Sequence, residues 1–326
     1  MTIKPTFTNE NKLYMKQLLM IGECMIELSQ DSEPAKFKQG FAGDVFNTGV
    51  YIKRCLKESA QVSLLSVIGE DQMSNKLLDF MQQEQIDERY LYRSKQDNMG
   101  LYIINVDDDG ERSFDYWREK SAARQLMKFI KEDNENAYFG EIDTIFYSGI
   151  SLAILPAEDL LDFWCFIESC KSAGCKIVFD PNYRATLWSS PHAAKEAFEI
   201  AYALSDIVLP GVDDHQQLYN QHNAAEVATH LEAKGIKEIV IKNGEQGVLI
   251  SVDGKRLAID ITPVSDVVDT TSAGDAFNGG YLSARQSGQS VKDAVVYAAE
   301  VAACVIRHQG AIVSKSSFEQ AITPLT

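Results

Sequence analysis

The chain has 326 residues, of which 45% are hydrophobic, and its Asp and Glu outnumber Lys and Arg by 47 to 31, giving a formal net charge of −16. This charge, with no block of five basic residues, excludes nucleic acid and anionic membranes as expected partners, so any anionic ligand needs helix N-termini or a few placed arginines. Six cysteines without a C-x-x-C pair and the lack of a long apolar run predict a cytoplasmic protein with reduced thiols.

Short apolar runs bounded by turn residues alternate with stretches of helical spacing along the chain. Strands are predicted at 18–21, 62–68, 144–147, 176–179, 207–209, 238–241 and 248–252, and helices at 160–170, 193–204 and 224–233. Near-continuous apolar strands that alternate with helices indicate a mostly parallel sheet covered on both faces. The sequence therefore predicts an α/β sandwich.

One segment departs from this alternation. Residues 100–118 contain two strand-like runs on either side of Asp109-Gly110, a strong hairpin signal. In the second run Phe114, Tyr116 and Arg118 share one face because strand side chains alternate. This face is typical of a lid over a binding cleft, and a surface hairpin whose aromatics pack on the core is the alternative that the local sequence leaves open.

Residues 269–277 read Asp-Thr-Thr-Ser-Ala-Gly-Asp-Ala-Phe and lead into a run of small and apolar residues. The run predicts a helix from Ala273, and the bare amides of its first turn, with Gly274 among them, can cradle an anion. Asp275 is either a helix-dipole partner or a base that deprotonates an alcohol attacking a bound phosphate. No Walker-type or G-x-G-x-x-G nucleotide motif is present.

Two stretches together resemble the signatures of a known family. The segment Asp269-Thr-Thr-Ser-Ala-Gly-Asp-Ala-Phe-Asn-Gly-Gly resembles the C-terminal signature of the ribokinase-like, PfkB-type sugar kinases, and Gly40-Phe-Ala-Gly-Asp-Val-Phe-Asn-Thr resembles their N-terminal one. Blocks at 21–29, 100–102, 116–118, 148–154, 179–184 and 307–312 are similar to the 2-keto-3-deoxygluconate kinases of that family. The resemblance extends from about residue 18 to about residue 315.

The resemblance implies a three-layer α/β/α ribokinase-like fold with a mostly parallel central sheet and a small β-sheet lid. It implies one kinase domain over residues 1–326, with lid segments near 24–42 and 95–120. The implied reaction transfers the ATP γ-phosphate, with Mg²⁺, to the 6-hydroxyl of 2-keto-3-deoxygluconate. A kinase for a neutral sugar such as fructose or ribose, and a catalytically silent sugar or nucleotide sensor, are the alternatives. A monovalent cation is left open as a further cofactor, and the expected assembly is a homodimer through the lid.

The resemblance also assigns roles to individual residues. Asp275 is the expected base, and the amides of Ala273, Gly274 and Asp275 form the expected anion hole. The residues matched to substrate are Gly43, Asp44, Asn47, Tyr102, Tyr116, Arg118 and Arg184. The residues matched to the nucleotide are Lys242, Gly244, Gly247, Thr270, Ser272 and Gly274, and Asp214 is matched to the metal. Two arginines suit a substrate with a carboxylate, which a neutral sugar lacks.

Three positions depart from the family pattern. Ala42 stands where many relatives have the first glycine of Gly-Gly-Asp, and we expect a small effect because Gly43 remains. Ser272 replaces a common glycine, which predicts either lost backbone freedom or a hydroxyl donated to phosphate. The metal-linked Asn-x-x-Glu element is represented only by Gly211-Val-Asp-Asp, with Asp213 and Asp214 open to being a simple acid pair at a helix start.

Overall fold

A computed structural model describes residues 15–30, 36–106, 112–133 and 141–325 of the chain. Within these ranges the strands are β1 Lys16–Ile21, β2 Met25–Gln30, β3 Phe37–Ala42, β4 Ala60–Gly69, β5 Leu91–Ser94, β6 Leu101–Val106, β7 Arg112–Trp117, β8 Thr144–Ser148, β9 Lys176–Asp180, β10 Ile207–Val208, β11 Glu238–Lys242, β12 Val248–Val252 and β13 Lys255–Ile259. The α-helices are α1 Asp44–Leu56, α2 Gln72–Gln83, α3 Leu126–Glu132, α4 Gly149–Ile154, α5 Leu160–Ser172, α6 Pro191–Leu204, α7 Val212–Tyr219, α8 Ala224–Glu232, α9 Ala273–Gln286, α10 Val291–Val305 and α11 Lys315–Ala321.

The larger sheet has nine strands in the order β13-β12-β11-β10-β9-β8-β1-β4-β5. All neighbours from β11 to β5 pair in parallel, and only the β11–β12 and β12–β13 pairs at one edge are antiparallel. The predicted mostly parallel sheet is therefore confirmed. Since parallel strands share a direction, β1, β8, β9, β10 and β11 end at the same edge, where α/β proteins usually bind ligands.

Both faces of this sheet are buried, which explains the near-continuous apolar strands. In β8, Ile145 and Tyr147 lie in a core with α5 and α6, while Phe146 between them lies in the core on the other face with α1, α9 and α10. Strand β9 alternates in the same way. The three-layer α/β/α arrangement is confirmed by these two cores.

A separate four-stranded sheet has the order β3-β2-β6-β7, and its strands fall inside the two segments assigned to the lid. Strands β6 and β7 form the predicted antiparallel hairpin, with Tyr102 opposite Tyr116 and Ile104 opposite Phe114. These four side chains therefore share one face, which confirms the prediction for Phe114 and Tyr116. The Asp109-Gly110 turn lies outside the described residues.

In the described part of the chain, no helix combines the length and the apolar character needed to cross a lipid bilayer.

Candidate active site

Four chain segments meet at the carboxyl edge of the large sheet. They are the first turns of α1 and α9, the end of β9 with the residues after it, and the end of β11. Asn47 of α1 donates from Nδ2 to Asp275 Oδ2 of α9 at 2.9 Å. Asn182, just after β9, donates to Asp44 Oδ2 at 2.7 Å. Residues far apart in sequence are thus brought into one polar cluster.

The Asp275 carboxylate has two chemically different oxygens. Oδ2 accepts hydrogen bonds from Asn47 Nδ2 at 2.9 Å and from Ser272 Oγ at 2.8 Å, whereas Oδ1 has no hydrogen-bond partner among the described residues. Burial, and then the nearby Asp44 carboxylate, raise the pKa of Asp275 to about 7, against the lowering effect of the two hydrogen bonds. A carboxylate with an open oxygen and a pKa near neutrality has the properties of a general base.

The turn before Asp275 leaves backbone amides uncommitted. The amide of Ala273 donates to the Thr270 oxygen at 3.2 Å, whereas the amides of Gly274 and Asp275 have no acceptor in the described part of the chain. A Cβ atom placed on Gly274 would lie 3.8 Å from Lys242 Nζ. Two amides, a helix N-terminus and a lysine therefore converge on one spot, which suits an anion.

Lys242 is held by two residues that the sequence analysis did not name. Its Nζ donates to Asp180 Oδ2 at 2.8 Å and to Asn278 Oδ1 at 3.1 Å, and Asn278 Nδ2 donates to the same Asp180 oxygen at 2.6 Å. Asp180 is 4% exposed and Asn278 is 1% exposed. The lysine is therefore fixed within a buried network beside the α9 turn.

The predicted sugar-binding residues at the start of α1 are occupied within the protein. Gly43 is the N-cap of α1, and a Cβ atom there would lie 2.1 Å from the Glu23 backbone oxygen. Asn47 accepts from the Gly43 amide at 3.3 Å in addition to its bond to Asp275. Asp44 is half-buried and bonded to Asn182. Gly43 thus makes room for backbone, and Asn47 links α1 to Asp275.

The predicted aromatics lie on the face of the small sheet that carries Tyr102 and Ile104, called the inner face. Tyr102 is 6% exposed and its hydroxyl donates to the Glu27 carboxylate, while Tyr116 is 46% exposed. The two rings lie 5.7 Å apart between centroids, and Phe114 stacks on Tyr116 at 6.3 Å. The hairpin therefore presents one aromatic surface, with Glu27 beside Tyr102 on the neighbouring strand β2.

The two predicted arginines differ in their surroundings. Arg118 is 8% exposed and forms a buried ion pair with Glu23, which is 3% exposed. The Arg184 side chain is 54% exposed, and its contact to Asp214 is a long 3.7 Å. Burial raises the pKa of Tyr116 and both guanidinium groups act in the opposite sense, so all three side chains share one region.

Asp214, the residue matched to metal, is engaged inside the protein. Its Oδ1 accepts from the Tyr183 amide at 2.9 Å. Burial, followed by the Asp180 charge, raises the pKa of Asp214 to about 6. Among the described residues no group of three His, Cys, Asp or Glu side chains is arranged to hold a metal ion. The described side chains therefore do not form a protein-only Mg²⁺ cage.

The other residues matched to nucleotide lie near the ends of the same elements. Gly244 and Gly247 lie in the turn after β11 with φ of 54° and 90°, the left-handed region that favours glycine. Gly244 is exposed, whereas Gly247 is buried. Thr270 is exposed and precedes α9. The structure describes no contact between this glycine turn and Asp275.

Sequence signals existed for some of the missed residues. Asp180 directly follows a predicted strand, at the sheet edge where α/β sites form. Asn278 lies one helical turn after Asp275 and so shares its face of α9. Glu23 and Glu27 gave no local signal, because their partners Arg118 and Tyr102 are distant in sequence.

An α/β/α fold with an acidic side chain beside bare helix amides at the sheet's carboxyl edge is the arrangement of an enzyme that acts on anionic groups. The sequence profile of the family described as pfkB family carbohydrate kinase matches residues 15–317. This chain belongs to that family.

Individual relatives agree with the family assignment. The chain is 38% identical over 303 residues to the 2-dehydro-3-deoxygluconokinase of Dickeya dadantii (strain 3937), covering 91% of this chain and 97% of that protein. It is 36% identical over 312 residues to the enzyme of the same name from Escherichia coli (strain K12), covering 93% and 99%. Among solved structures, the PfkB protein from Polaromonas sp. JS666 superposes with a TM-score of 0.80 at 25% identity, covering 94% of this chain and 100% of that chain.

Proposed function

We propose that the protein transfers the γ-phosphate of ATP to the 6-hydroxyl of 2-keto-3-deoxygluconate, the sugar acid that the relatives' names call 2-dehydro-3-deoxygluconate. The product is the 6-phosphate, and the reaction takes place in the cytoplasm. The observation that carries the proposal is the open Oδ1 of Asp275 beside two uncommitted amides, in the same cluster of segments as Arg184. The near-full-length similarity to two 2-dehydro-3-deoxygluconokinases supports the choice of substrate.

The base in this proposal is Asp275. Asn47 and Ser272 hold Oδ2, so Oδ1 is the oxygen available to the 6-hydroxyl. As the hydroxyl oxygen attacks the γ-phosphorus, its proton passes to Oδ1, the bond to the leaving oxygen of ADP breaks, and the carboxyl later releases the proton to solvent. A pKa of about 7 leaves much of the carboxyl ionised before reaction at neutral pH and still able to accept a proton.

The α9 turn and Lys242 stabilise negative charge in this proposal. The amides of Gly274 and Asp275 face the transferring phosphoryl group, and the positive end of the α9 dipole adds to them. Lys242 lies on the same side of Gly274. Because Asp180 and Asn278 already fix its amino group, little reorganisation is needed when the phosphate arrives.

Mg²⁺ is proposed as a companion of the nucleotide. Mg²⁺ keeps several waters and is usually held by substrate phosphates with one or two carboxylates, so the absence of a three-ligand group from the described residues does not conflict with it. Bound there, the ion would neutralise phosphate charge. The contacts of Asp214 to the Tyr183 amide and to Arg184 give no support for direct ligation.

The substrate carboxylate is proposed to bind Arg184. Its guanidinium is mostly exposed and its fork of donors matches a carboxylate. Arg118 is proposed to assist from the end of β7, and Tyr102 and Tyr116 are proposed to lie over the sugar carbon chain; the contacts of Tyr116 with Tyr102 and with Arg118 support this. The small sheet is proposed to act as a lid that excludes water from the phosphoryl group.

A neutral-sugar kinase is the second candidate, and one observation favours it. Arg118 is already neutralised by Glu23, which leaves Arg184 as the single largely exposed cation of the predicted pair. A neutral sugar requires no carboxylate partner at all. The Arg184 guanidinium favours the sugar acid, because it is mostly exposed and its protein contacts are one bond to the Tyr183 backbone oxygen at 2.9 Å and a long approach to Asp214.

The homodimer is proposed to form through the outer face of the small sheet. Phe37 on β3 and Trp117 on β7 are 49% and 55% exposed on this face, beside the half-buried Leu101 and Ile103. Large exposed apolar side chains on one sheet face indicate a contact surface. Sedimentation that detects only 36.3 kDa particles at micromolar concentration would remove the dimer from the proposal.

The test of the function is a coupled assay of ADP release from ATP and Mg²⁺. It compares 2-keto-3-deoxygluconate, fructose, ribose and no acceptor. We expect the sugar acid to give the highest kcat/KM. Faster turnover of fructose or ribose would establish a neutral-sugar kinase. If no acceptor stimulates ADP release, the protein is a catalytically silent sensor.

A further inference from the structure

Ser272, the residue before α9, has an unusual backbone. Its φ of 64° and ψ of 12° lie in the left-handed region, which glycine adopts freely and serine rarely adopts because its Cβ crowds the carbonyl oxygen. The backbone oxygen of Ser272 accepts from the Ala276 amide at 2.8 Å, the first bond of the helix. Glycine could make that bond with less strain, so the serine side chain must contribute something else at this position.

The serine hydroxyl does not cap the helix. Ser272 is the N-cap residue of α9, yet its side chain makes no capping hydrogen bond. Its Oγ donates instead to Asp275 Oδ2 at 2.8 Å, on the same oxygen that Asn47 Nδ2 contacts at 2.9 Å. Two donors from different elements therefore fix one oxygen and leave the other without a protein partner in the described ranges.

We infer that Ser272 is a positioning residue for the base: its hydroxyl holds the Asp275 carboxylate so that Oδ1 faces the acceptor hydroxyl, and the left-handed backbone is what places the hydroxyl there. The inference deepens the proposed function and rests on it. It also replaces the sequence-based expectation that this hydroxyl binds phosphate. Ser272 acts through Asp275 and touches no reacting atom.

The charges around Asp275 determine what losing this hydroxyl does. Asp44 at the start of α1 and Asp180 at the end of β9 both disfavour the ionised carboxylate, and Lys242 on β11 pairs with Asp180. Tyr51 of α1 is near enough to sense the Asp275 charge. Hydrogen bonds from Asn47 and Ser272 oppose the acidic neighbours and lower the pKa of Asp275. Without the Ser272 hydroxyl, the ionised base forms only at higher pH.

The experiment compares Ser272→Gly, Ser272→Ala and the unaltered protein. Both variants lose the hydroxyl, so we expect the rising limb of kcat/KM against pH to move up by about one pH unit in each. At pH 7 kcat/KM then falls roughly 5-fold, because the ionised fraction of Asp275 drops from about one half to about one tenth. Only glycine relieves the backbone, so Ser272→Gly should have a higher Tm than Ser272→Ala.

Asp253→Gly is the matched control. Asp253 also has a left-handed backbone, with φ of 49°, in the exposed turn between β12 and β13. This variant should alter the backbone strain and Tm without moving the pH limb. A carbon-13 NMR titration of the Asp275 carboxyl in the nucleotide-free protein gives the same comparison without turnover.

The outcomes separate this inference from the proposed function. Suppose that the unaltered protein shows a rising limb of kcat/KM and an Asp275 carboxyl titration near neutral pH. If neither moves in the two Ser272 variants, the inference is overturned and Asp275 remains the base. Full turnover by Asp275→Asn would instead remove the proposed function itself. Ser272→Gly remains informative if Ser272→Ala folds poorly, because it carries less strain.

Discussion

The two parts of the candidate site, the start of α9 and the small sheet, differ in how their polar groups are satisfied. On the α9 side, Asp275 keeps one carboxylate oxygen open and two amides lack acceptors among the described residues. On the small-sheet side, Arg118 is paired with Glu23 and Tyr102 is bonded to Glu27. The α9 side has polar groups available to a ligand, whereas the small-sheet side has paired its arginine and its buried tyrosine within the protein.

This difference assigns different tasks to the two sides. Preorganised groups stabilise charge that develops during reaction without a reorganisation cost, which suits the α9 turn to phosphoryl transfer. A protein group that must give up an internal partner to bind a substrate adds less to the binding affinity. It also disfavours ligands that cannot replace that partner, because the group would then be left unpaired. We therefore expect changes on the α9 side to lower kcat and changes on the small-sheet side to affect KM, stability and acceptor choice.

The largest effect is expected from Asp275→Asn. The amide keeps the size of the side chain but cannot accept the proton, so kcat should fall roughly 10²- to 10⁴-fold. Single-turnover phosphoryl transfer measures the change, with nucleotide binding as the control for an intact site. Near-normal turnover in a well-folded variant would refute the role of the base.

A smaller loss is expected from Asp180→Asn, which removes the charge that holds Lys242. We expect kcat to fall about 10- to 100-fold, because a charge-assisted contact that positions the amino group is lost. Glu238→Gln is the control, since it breaks the ion pair with Arg285 at 2.8 Å at the opposite end of β11. Equal losses of kcat in both variants would show that the effect comes from a destabilised strand and not from the position of Lys242.

The two arginines should separate affinity from stability. Arg184→Met should raise KM for the sugar acid about 10- to 100-fold with little change in Tm, since this side chain is mostly exposed. Arg118→Met leaves Glu23 buried without its partner and should cost about 3 to 5 kcal/mol of folding free energy. Adding Glu23→Gln to Arg118→Met should restore much of it, which thermal unfolding measures. The reverse pattern would mean that Arg118, and not Arg184, binds the substrate carboxylate.

The smallest effect is expected from Tyr102→Phe. The variant removes one hydrogen bond to Glu27 and keeps the ring, so KM should change by about 2- to 10-fold with kcat nearly constant. Michaelis kinetics with the sugar acid provide the readout. A large fall in kcat would place Tyr102 in the chemistry and erase the contrast between the two sides.

The sequence predicted the architecture because its signals are local and repeated. Apolar runs at 144–147 and 176–179 fall inside β8 and β9, and the alternation in 100–118 predicted which hairpin side chains share a face. Helix spacing and the small residues from Ala273 placed the start of α9. Each of these inferences depended on neighbours within a few residues.

The partners of the site residues could not be predicted in the same way. Asn47 meets Asp275 across 228 positions, and Arg118 meets Glu23 across 95. Neither pairing has a local signal, since it depends on how the strands are ordered in space. The sequence therefore predicted the two arginines as equals, and only the folded chain distinguishes the buried one from the exposed one.

The central claim is that the Asp275 carboxylate accepts the proton of the sugar-acid hydroxyl, and the pH dependence of kcat/KM tests it most directly. The raised pKa of Asp275 means that the base is protonated in acid and ionised above about pH 7. The account predicts that kcat/KM rises tenfold per pH unit below an apparent pKa near 7 and then levels. A profile that is flat from about pH 5 to about pH 8 would contradict it, because a carboxyl that stays ionised at about pH 5 has the ordinary low pKa of an aspartate.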